Sequence, residues 1–138
     1  YRSMIKEAFG NKIPNLEYQA DLTGLGGEIA AHNLLKQNSP PTAILCANDA
    51  TALGVIKAAR ELGFRIPDQL SVIGYDGIAL GGYLDPPLTT LTFSIEASGR
   101  EIVAMLLRRL KDPDLPIISK LASATLKLAG SEGPPAQA

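Results

Sequence analysis

Two short apolar runs on either side of a helical pattern restrict the fold of this chain more than any other feature. The runs are TAILCA (42–47) and QLSVIGYD (69–76), and each is almost continuously apolar, as strands covered on both faces are. Residues 50–62 carry apolar side chains at three-to-four spacing, which predicts an amphipathic helix ending at Gly63. Its core stripe comprises Ala52, Val55, Ala59 and Leu62. This order of strand, helix and strand predicts a βαβ unit with parallel strands and a right-handed crossover.

The flanking sequence extends the same α/β pattern. We predict a helix at 2–10, a short strand at 16–21, a helix at 24–37, strands at 88–93 and within 117–128, and a helix at 95–110. The core side of the helix at 24–37 is predicted to hold Leu25, Ile29, Ala30 and Leu34. The apolar side of the helix at 95–110 is predicted to hold Ile95, Gly99, Ile102, Leu106 and Leu110. The final segment, GSEGPPAQA (130–138), predicts a disordered tail.

Composition and charge limit the class of protein. The chain has 138 residues, of which 46% are hydrophobic, and this is enough for one core. Thirteen basic and 14 acidic side chains leave a net charge of -1, so this stretch carries no basic surface for nucleic acid. The sequence has no run of about 18 apolar residues, so no membrane span is predicted. Because the sequence opens at Tyr1, within a helix-like pattern, we expect a piece of a longer protein.

Motifs for catalysis and for cofactor binding are incomplete. GLGG (24–27) does not complete a dinucleotide fingerprint, and there is no Walker-type GK[ST]. His32 is the only histidine and lies mid-helix, which favours a surface or packing role. Cys46 is the only cysteine and lies in an apolar run, so it can form neither an intrachain disulfide nor a metal cluster. We therefore predict no catalytic residue, no metal site and no cofactor.

Polar side chains follow two of the predicted strands directly. Asn48 and Asp49 come after the first, and Asp76 ends the second. Ligands of parallel sheets bind outside the carboxyl ends of the strands, and amide and carboxylate groups suit a ligand with several hydroxyl or amino groups. Each residue also has another interpretation. Asp49 could cap the helix and Asn48 could be a turn residue. Asp76 with Gly77 could form a turn, or the two aspartates could be an acid/base pair.

A second apolar face lies on the helix at 50–62. Leu53 and Ile56 are about a quarter turn away from the core stripe, with Arg60 beside them. If these side chains are exposed, they form a contact surface for a partner. If they are covered, the helix is buried on two sides.

The stretch from residue 41 to residue 110 resembles the effector-binding domain of the LacI/GalR family of bacterial transcription regulators. The resemblance is carried by CANDATALG, RIPDQLSVIGYD and DPPLTTL, which occur in this order between Cys46 and Leu91. It implies a type I periplasmic-binding-protein-like fold, in which two lobes of the Rossmann-like kind close over a small effector, often a sugar. It also implies a cytoplasmic dimer that binds operator DNA through a separate helix-turn-helix headpiece. The related periplasmic sugar-binding proteins share the fold but usually lack a PPLTT segment.

The resemblance assigns roles to the polar strand ends. Asp76 is similar to the carboxylate that anchors the effector, and Asn48 to a second polar contact, which leaves Asp49 mainly as a helix cap. Leu22 and Phe93 match cleft-facing positions.

The chain departs from the family at two of the matched positions. Many sugar-binding members have an aromatic ring where this chain has Leu22, and leucine cannot stack on a sugar face. The family commonly has an arginine where this chain has Tyr1, and Arg2 is one position off. Both departures imply an effector other than the commonest kind.

The resemblance also assigns an interface and a domain layout. In family dimers the carboxyl-terminal lobes pack through the helix at 50–62 and the following loop, so Leu53, Ile56 and Tyr83 are interface candidates. By family topology, residues 1–91 form the carboxyl-terminal lobe, 92–112 cross into the amino-terminal lobe, 113–129 return as a strand, and 130–138 form the tail. The headpiece and most of the amino-terminal lobe lie outside this sequence. The alternative to a regulator is a sugar-binding protein of a transport system.

Overall fold

The computed structural model describes residues 1–10 and 16–135, and Phe9 through its backbone only. Four α-helices and four strands alternate along most of this part of the chain. In chain order they are α1 (Arg2–Phe9), α2 (Gly24–Leu35), β1 (Ala43–Leu45), α3 (Asp49–Glu61), β2 (Ser71–Asp76), a short 3-10 helix (Ala79–Tyr83), β3 (Thr89–Thr92), α4 (Ile95–Lys111) and β4 (Thr125–Lys127).

A single sheet with the strand order β1-β2-β3-β4 organises these elements. β1 pairs with β2 in parallel, and β2 pairs with β3 in parallel. β4 runs antiparallel to β3. The predicted α/β class and the parallel pairing of the two strands around α3 are therefore confirmed. The helices predicted at 2–10, 50–62 and 95–110 are confirmed to within about two residues at their ends, which is the usual uncertainty of helix boundaries.

The core lies where α2 and α3 cross and pack on the sheet. The crossing is close because it uses glycines: a Cβ added to Gly54 would lie 1.8 Å from the Gly24 carbonyl oxygen, and one added to Gly27 would lie 2.1 Å from the Thr51 oxygen. The predicted stripe of α3 is confirmed, since Ala52, Val55 and Ala59 are buried. The buried apolar cluster comprises Ala31, Leu35, Cys46, Ala52, Val55, Ile56, Ala58, Ala59, Leu70, Val72 and Leu88.

The predicted core side of α2 is half wrong. Ala30 and Leu34 are buried, but Leu25 is 67% exposed and Ile29 is 47% exposed. The close contact with α3 places Gly27, Ala30 and Ala31 inward, followed by Leu34 and Leu35 in the last turn. Hydrophobicity alone pointed to the larger side chains, which lie outside this contact.

One predicted strand is absent, and the predicted burial of another is wrong. Residues 16–21 form no strand. β1 has only three residues and is covered on one face, because Ile44 packs against the core while Leu45 is 59% exposed. No described segment pairs with its outer edge. Residues 42–47 therefore carry more apolar side chains than the described fold buries.

α4 and the segment after it differ from the rest of the chain. α4 buries none of its residues, and the predicted apolar stripe is exposed from Ile95 (68%) to Leu110 (69%). The strand predicted within 117–128 is reduced to the three residues of β4. None of the described helices is both long enough and apolar enough to cross a membrane.

The disordered tail predicted for 130–138 is wrong for residues 130–135, whereas 136–138 lie outside the described residues. Ser131 is fully buried, and its hydroxyl donates to the Val72 carbonyl at 2.6 Å and accepts from the Thr89 amide at 2.8 Å. The Val72 amide in turn donates to the Ser131 carbonyl at 2.8 Å. Ser131 therefore satisfies buried backbone groups of β2 and β3, a requirement that composition does not reveal.

Candidate functional site

The carboxyl ends of β1, β2 and β3 meet at one edge of the sheet. Asp76, the last residue of β2, is in register with Thr92, the last residue of β3. The Cys46 amide, directly after β1, donates to the Ile73 carbonyl of β2 at 2.8 Å. Because all three strands are parallel, the residues that follow them emerge on the same side. We call this edge the strand-end site.

Asp76 is the half-buried carboxylate of this site. It takes part in no hydrogen bond or ion pair among the residues that the structure describes. Its φ of 119° lies in a region that L-residues rarely adopt, and such a conformation costs about 1–3 kcal/mol. The next residue, Gly77, has a φ of 75°, and a Cβ there would lie 2.4 Å from the Thr92 hydroxyl oxygen. The protein thus holds a half-exposed carboxylate on a strained backbone, and strained residues of this kind cluster at ligand sites.

Asn48 is the N-cap of α3, so the prediction that Asp49 caps this helix is wrong. The Asn48 Oδ1 accepts from the Thr51 amide at 2.9 Å and from the Thr51 hydroxyl at 2.6 Å. Its Nδ2 donates to the Leu22 carbonyl at 2.9 Å. An amide can provide one further N–H for a ligand. Asn48 is therefore a structural residue first, with one donor to spare.

Asp49 has no exposed surface and uses both carboxylate oxygens within the fold. Oδ2 accepts from the Ile78 amide at 2.8 Å, and Oδ1 accepts from the Thr90 hydroxyl at 2.7 Å. The residue joins the start of α3 to the loop after β2 and to β3. A carboxylate in this position is not available to exchange protons with a substrate, so the pairing of Asp49 with Asp76 as acid and base has no support in the geometry.

Leu22 lies beside Asn48, as their hydrogen bond requires. It has a φ of 64° and a 55% exposed side chain. Tyr1 is also 55% exposed and precedes α1, which is tied to the chain that follows by the Arg2–Glu17 ion pair at 2.6 Å. The Tyr1 side chain makes no hydrogen bond and no aromatic pair among the described residues. Leu22 thus reaches the site by its backbone, and the role of Tyr1 stays a prediction.

Phe93 follows β3 directly and packs against Tyr75 of β2. Their ring centroids are 6.2 Å apart and the rings are tilted by 44°. Tyr75 is 40% exposed, so this aromatic pair presents apolar surface at the carboxyl end of the sheet. Sequence reasoning missed Tyr75. Its signal was present in the YD pair at the end of β2.

The interface candidates differ in exposure. Ile56 is 3% exposed and belongs to the core, so the expectation that it is available for a partner is wrong. Leu53 is half-buried and Tyr83 is 85% exposed. Arg60 of α3 donates to the Asp85 carbonyl, which holds the loop after the 3-10 helix against this face of α3. Of the two interpretations of the second apolar face, burial applies to Ile56 and partial exposure to Leu53.

Two groups with potential chemistry lie elsewhere. Glu28, His32 and Glu61 place oxygen and nitrogen atoms within 4.8 Å of one another. The Lys57 ammonium lies between these carboxylates, at 2.6 Å from Glu28 and 2.9 Å from Glu61. These side chains therefore form an ion-pair cluster between α2 and α3. Burial raises the pKa of the Cys46 thiol to about 12, which keeps it protonated and unreactive.

The comparisons with known proteins agree on one family. The sequence model of the periplasmic binding protein-like domain matches residues 1–131. The ribose operon repressor of Haemophilus influenzae is 37% identical over 114 residues, which are 83% of this chain and 34% of that protein. The chain thus spans about a third of the length of this curated relative.

Solved structures agree in fold. A LacI family transcriptional regulator from Enterococcus faecalis V583, with bound ribose, superposes with a TM-score of 0.78 at 31% identity, covering 84% of this chain and 43% of that one. The lac repressor dimer bound to operator and the anti-inducer ONPF gives a TM-score of 0.79 at 30% identity, covering 87% and 42%. The resemblance seen in the sequence is confirmed. The chain belongs to the periplasmic binding protein-like domain family, in the form that LacI-type transcriptional regulators carry.

Proposed function

We propose that this chain is the effector-sensing and dimerisation part of a LacI-type regulator that binds a small polar, sugar-like ligand and thereby controls operator binding. The observation that carries the proposal is the free carboxylate of Asp76 at the strand-end site, with its strained backbone. A carboxylate that accepts two hydrogen bonds suits neighbouring hydroxyl groups of a sugar. The aromatic pair of Tyr75 and Phe93 at the same end of the sheet adds apolar surface.

Relatives support a regulator over a transport protein. The Haemophilus influenzae relative is a ribose operon repressor, and the Enterococcus faecalis structure contains ribose. Leu22 offers no aromatic face on which a sugar ring could stack. D-ribose is therefore the first ligand to test. We propose that the full-length protein is cytoplasmic, is not an enzyme and uses no cofactor.

The test is thermal unfolding and calorimetric titration of the full-length gene product with sugars, sugar phosphates, polyols and purines, D-ribose first. A ligand at 100 times its Kd stabilises the protein by about 2.7 kcal/mol. We expect Asp76→Ala to abolish this stabilisation. Asp68→Ala is the matched control, since Asp68 is an exposed carboxylate before β2, at the opposite end of the strand. Equal ligand binding by the wild type and Asp76→Ala would contradict the proposed role of Asp76.

We further propose a homodimer through the outer face of α3 and the adjoining 3-10 helix. Leu53 and Tyr83 supply exposed apolar surface there, and Ile56 supports them from the core. Leu53→Glu should shift the full-length protein towards monomer in light scattering. Gln37→Glu adds one charge at an exposed position after α2 and should leave the mass unchanged. An unchanged mass for Leu53→Glu would exclude this face.

The division of the chain follows from the same proposal. Residues 1–91 form the carboxyl-terminal lobe, 92–112 cross to the other lobe, and 113–129 return. The exposed stripe of α4 supports this division, because an apolar face of that size is normally covered. Operator DNA is contacted by a headpiece outside the present sequence, and ligand binding is coupled to it through closure of the two lobes.

A further inference from the structure

Asp49 connects α3 to β2, to the loop after β2 and to β3. Its carboxylate accepts from the Ile78 amide in the loop after β2 and from the Thr90 hydroxyl of β3. It also lies on the backbone of β2, since a Cβ added to Gly74 would be 2.1 Å from its Oδ1. Full burial of a carboxylate is costly unless each oxygen has a partner, and here each has one. Such a group fixes its neighbours in one arrangement.

One of these neighbours is two residues from Asp76. Asp76 and Gly77 both have positive φ, at 119° and 75°, and the chain then reaches Ile78, whose amide is bound by Asp49. An aspartate in such a conformation persists only where the surroundings hold it. The bond to Ile78 is what holds the far end of this short segment. Register with Thr92 holds the near end.

We propose that Asp49 is a positioning residue, which holds the Asp76 carboxylate in its ligand-binding conformation through the Ile78 amide. This inference rests on the proposed role of Asp76. Asp49 touches no ligand itself. Because it is the first residue of α3, and Leu53 follows one helical turn later, the same contact joins the proposed interface helix to the proposed ligand anchor. A displacement of α3 is thereby transmitted to Asp76.

Three variants separate positioning from general stability. Asp49→Ala removes both hydrogen bonds. Asp49→Asn keeps both, because its oxygen accepts from Ile78 while its NH2 donates to Thr90, whose own proton can turn to the Leu91 carbonyl 3.2 Å away. Ile78→Pro removes the donated N–H: the φ of Ile78 is -64°, which proline adopts without strain, and its side chain is 37% exposed. Because a proline also restricts the residue before it, the signals of Asp76, and not those of Gly77, are read in this variant. Ile78→Pro therefore tests the bond even if Asp49→Ala does not fold.

The control is Leu70→Ala. Leu70 is fully buried directly before β2, at the opposite end of this strand from Asp76. Its truncation lowers stability through the core and leaves the Asp49 contacts intact. Any change shared by Leu70→Ala and the Asp49 variants is a general effect of lower stability.

The first measurement needs no ligand. Backbone carbon and amide chemical shifts of Asp76 and Gly77, which report φ and ψ, are recorded by TROSY on the full-length gene product labelled at Asp and Gly. We expect Asp49→Ala to move both signals, and Ile78→Pro to move those of Asp76, towards values of extended chain, while Asp49→Asn and Leu70→Ala keep them in place. Wild-type shifts in Asp49→Ala or Ile78→Pro, or an equal displacement in Leu70→Ala, would overturn the proposal.

The second measurement is the Kd for D-ribose of the same proteins. We expect Ile78→Pro and Asp49→Ala to weaken binding about tenfold or more, with Asp49→Asn and Leu70→Ala near the wild type. Undiminished affinity in Asp49→Ala would overturn the positioning role. A wild type that binds none of the tested ligands would count against the proposed function, and the chemical shifts would still decide whether Asp49 sets the backbone of Asp76.

Discussion

α3 and α4 are built alike and packed differently. Each begins with a side-chain N-cap, has an acidic residue in its first turn and at least one basic residue in its last, and carries an apolar stripe. Yet α3 buries eight of its 13 residues, whereas α4 buries none of its 17. The difference therefore does not arise within the helices. It arises from the elements that pack against them. The two helices can therefore be compared directly, because their local sequence features are similar and their tertiary contacts differ.

α3 buries most of its residues against elements of the described chain, whereas α4 buries none there. α3 packs between α2 and the sheet. α4 faces only the segment after it, across a groove of about 310 Å³ whose walls include Met105 and Ile118. In that segment Ile117 is 90% exposed and Leu121 is 98% exposed. An apolar surface this continuous is expected to be covered in the complete protein, which is why we place α4 in another lobe.

The largest expected difference between the helices comes from Gly→Ala substitutions. In Gly54→Ala the new Cβ would lie 1.8 Å from the Gly24 carbonyl, so α2 and α3 must move apart, at a cost of about 3 kcal/mol. In Gly99→Ala the Cβ meets nothing within 4 Å, and the helix gains up to about 1 kcal/mol. Chemical denaturation of the 138-residue chain measures both. Equal effects would mean that the α2–α3 crossing is not as close as described.

Truncation of apolar side chains sharpens the comparison. Ile56→Ala should cost about 2–4 kcal/mol, because Ile56 is 3% exposed. Leu106 is 55% exposed, so Leu106→Ala should change the stability of the 138-residue chain by less than about 0.5 kcal/mol. In the full-length protein we expect Leu106→Ala to cost about 2 kcal/mol or more, since the other lobe covers it. A neutral Leu106→Ala in the full-length protein would contradict the proposed division into lobes.

The sequence predicted the positions of the helices better than the contacts that surround them. Helices α3 and α4 were located closely because periodicity, caps and glycines are local signals. The inward side of α2 was misjudged because the close approach to α3 depends on the pairing of Gly27 with Thr51, which no single helix reveals. The order of residues 130–135 was missed for the same reason, since the partners of Ser131 lie 42 and 59 residues away in sequence.

At the candidate site, residue identity was easier to predict than role. Asn48, Asp49 and Asp76 were located at strand ends because strand ends can be read from sequence. The predicted capping role of Asp49 belongs to Asn48, and Asp49 is instead buried and bound to Ile78 and Thr90. A carboxylate that caps and one that is buried look identical in sequence, and only the contacts from β3 and the loop distinguish them.

Capping residues provide a smaller test. The Asn48 side chain binds Thr51 twice and also the Leu22 carbonyl, whereas the Ser94 hydroxyl of α4 accepts one bond, from the Ala97 amide at 3.1 Å. Asn48→Ala should therefore cost about 2 kcal/mol and Ser94→Ala about 0.5–1 kcal/mol. Thermal unfolding of the two variants checks the order. A larger loss for Ser94→Ala would show that helix α4 is more tightly coupled to the fold than its exposure indicates.

The smallest expected difference concerns exposed ion pairs. Lys57 of α3 bridges Glu61 on its own helix and Glu28 on α2, whereas Arg100 of α4 pairs only with Glu96 on its own helix. Exposed pairs contribute little, but one that joins two helices also opposes their separation. Lys57→Met should thus lower the melting temperature slightly more than Arg100→Met.

The pH dependence identifies the pair responsible. The hydrogen bond from Lys57 lowers the pKa of the Glu61 carboxyl below its ordinary value of 4.5. Folding then favours the ionised form, so the stabilisation is fully present above pH 4.5 and is lost as pH falls through the lowered pKa of the folded state. Lys57→Met should flatten the loss of stability below this pH, while Arg100→Met retains the wild-type slope. If both variants keep that slope, the Lys57 cluster does not contribute to the acid sensitivity of the α2–α3 contact, and the carboxylates responsible lie elsewhere in the fold.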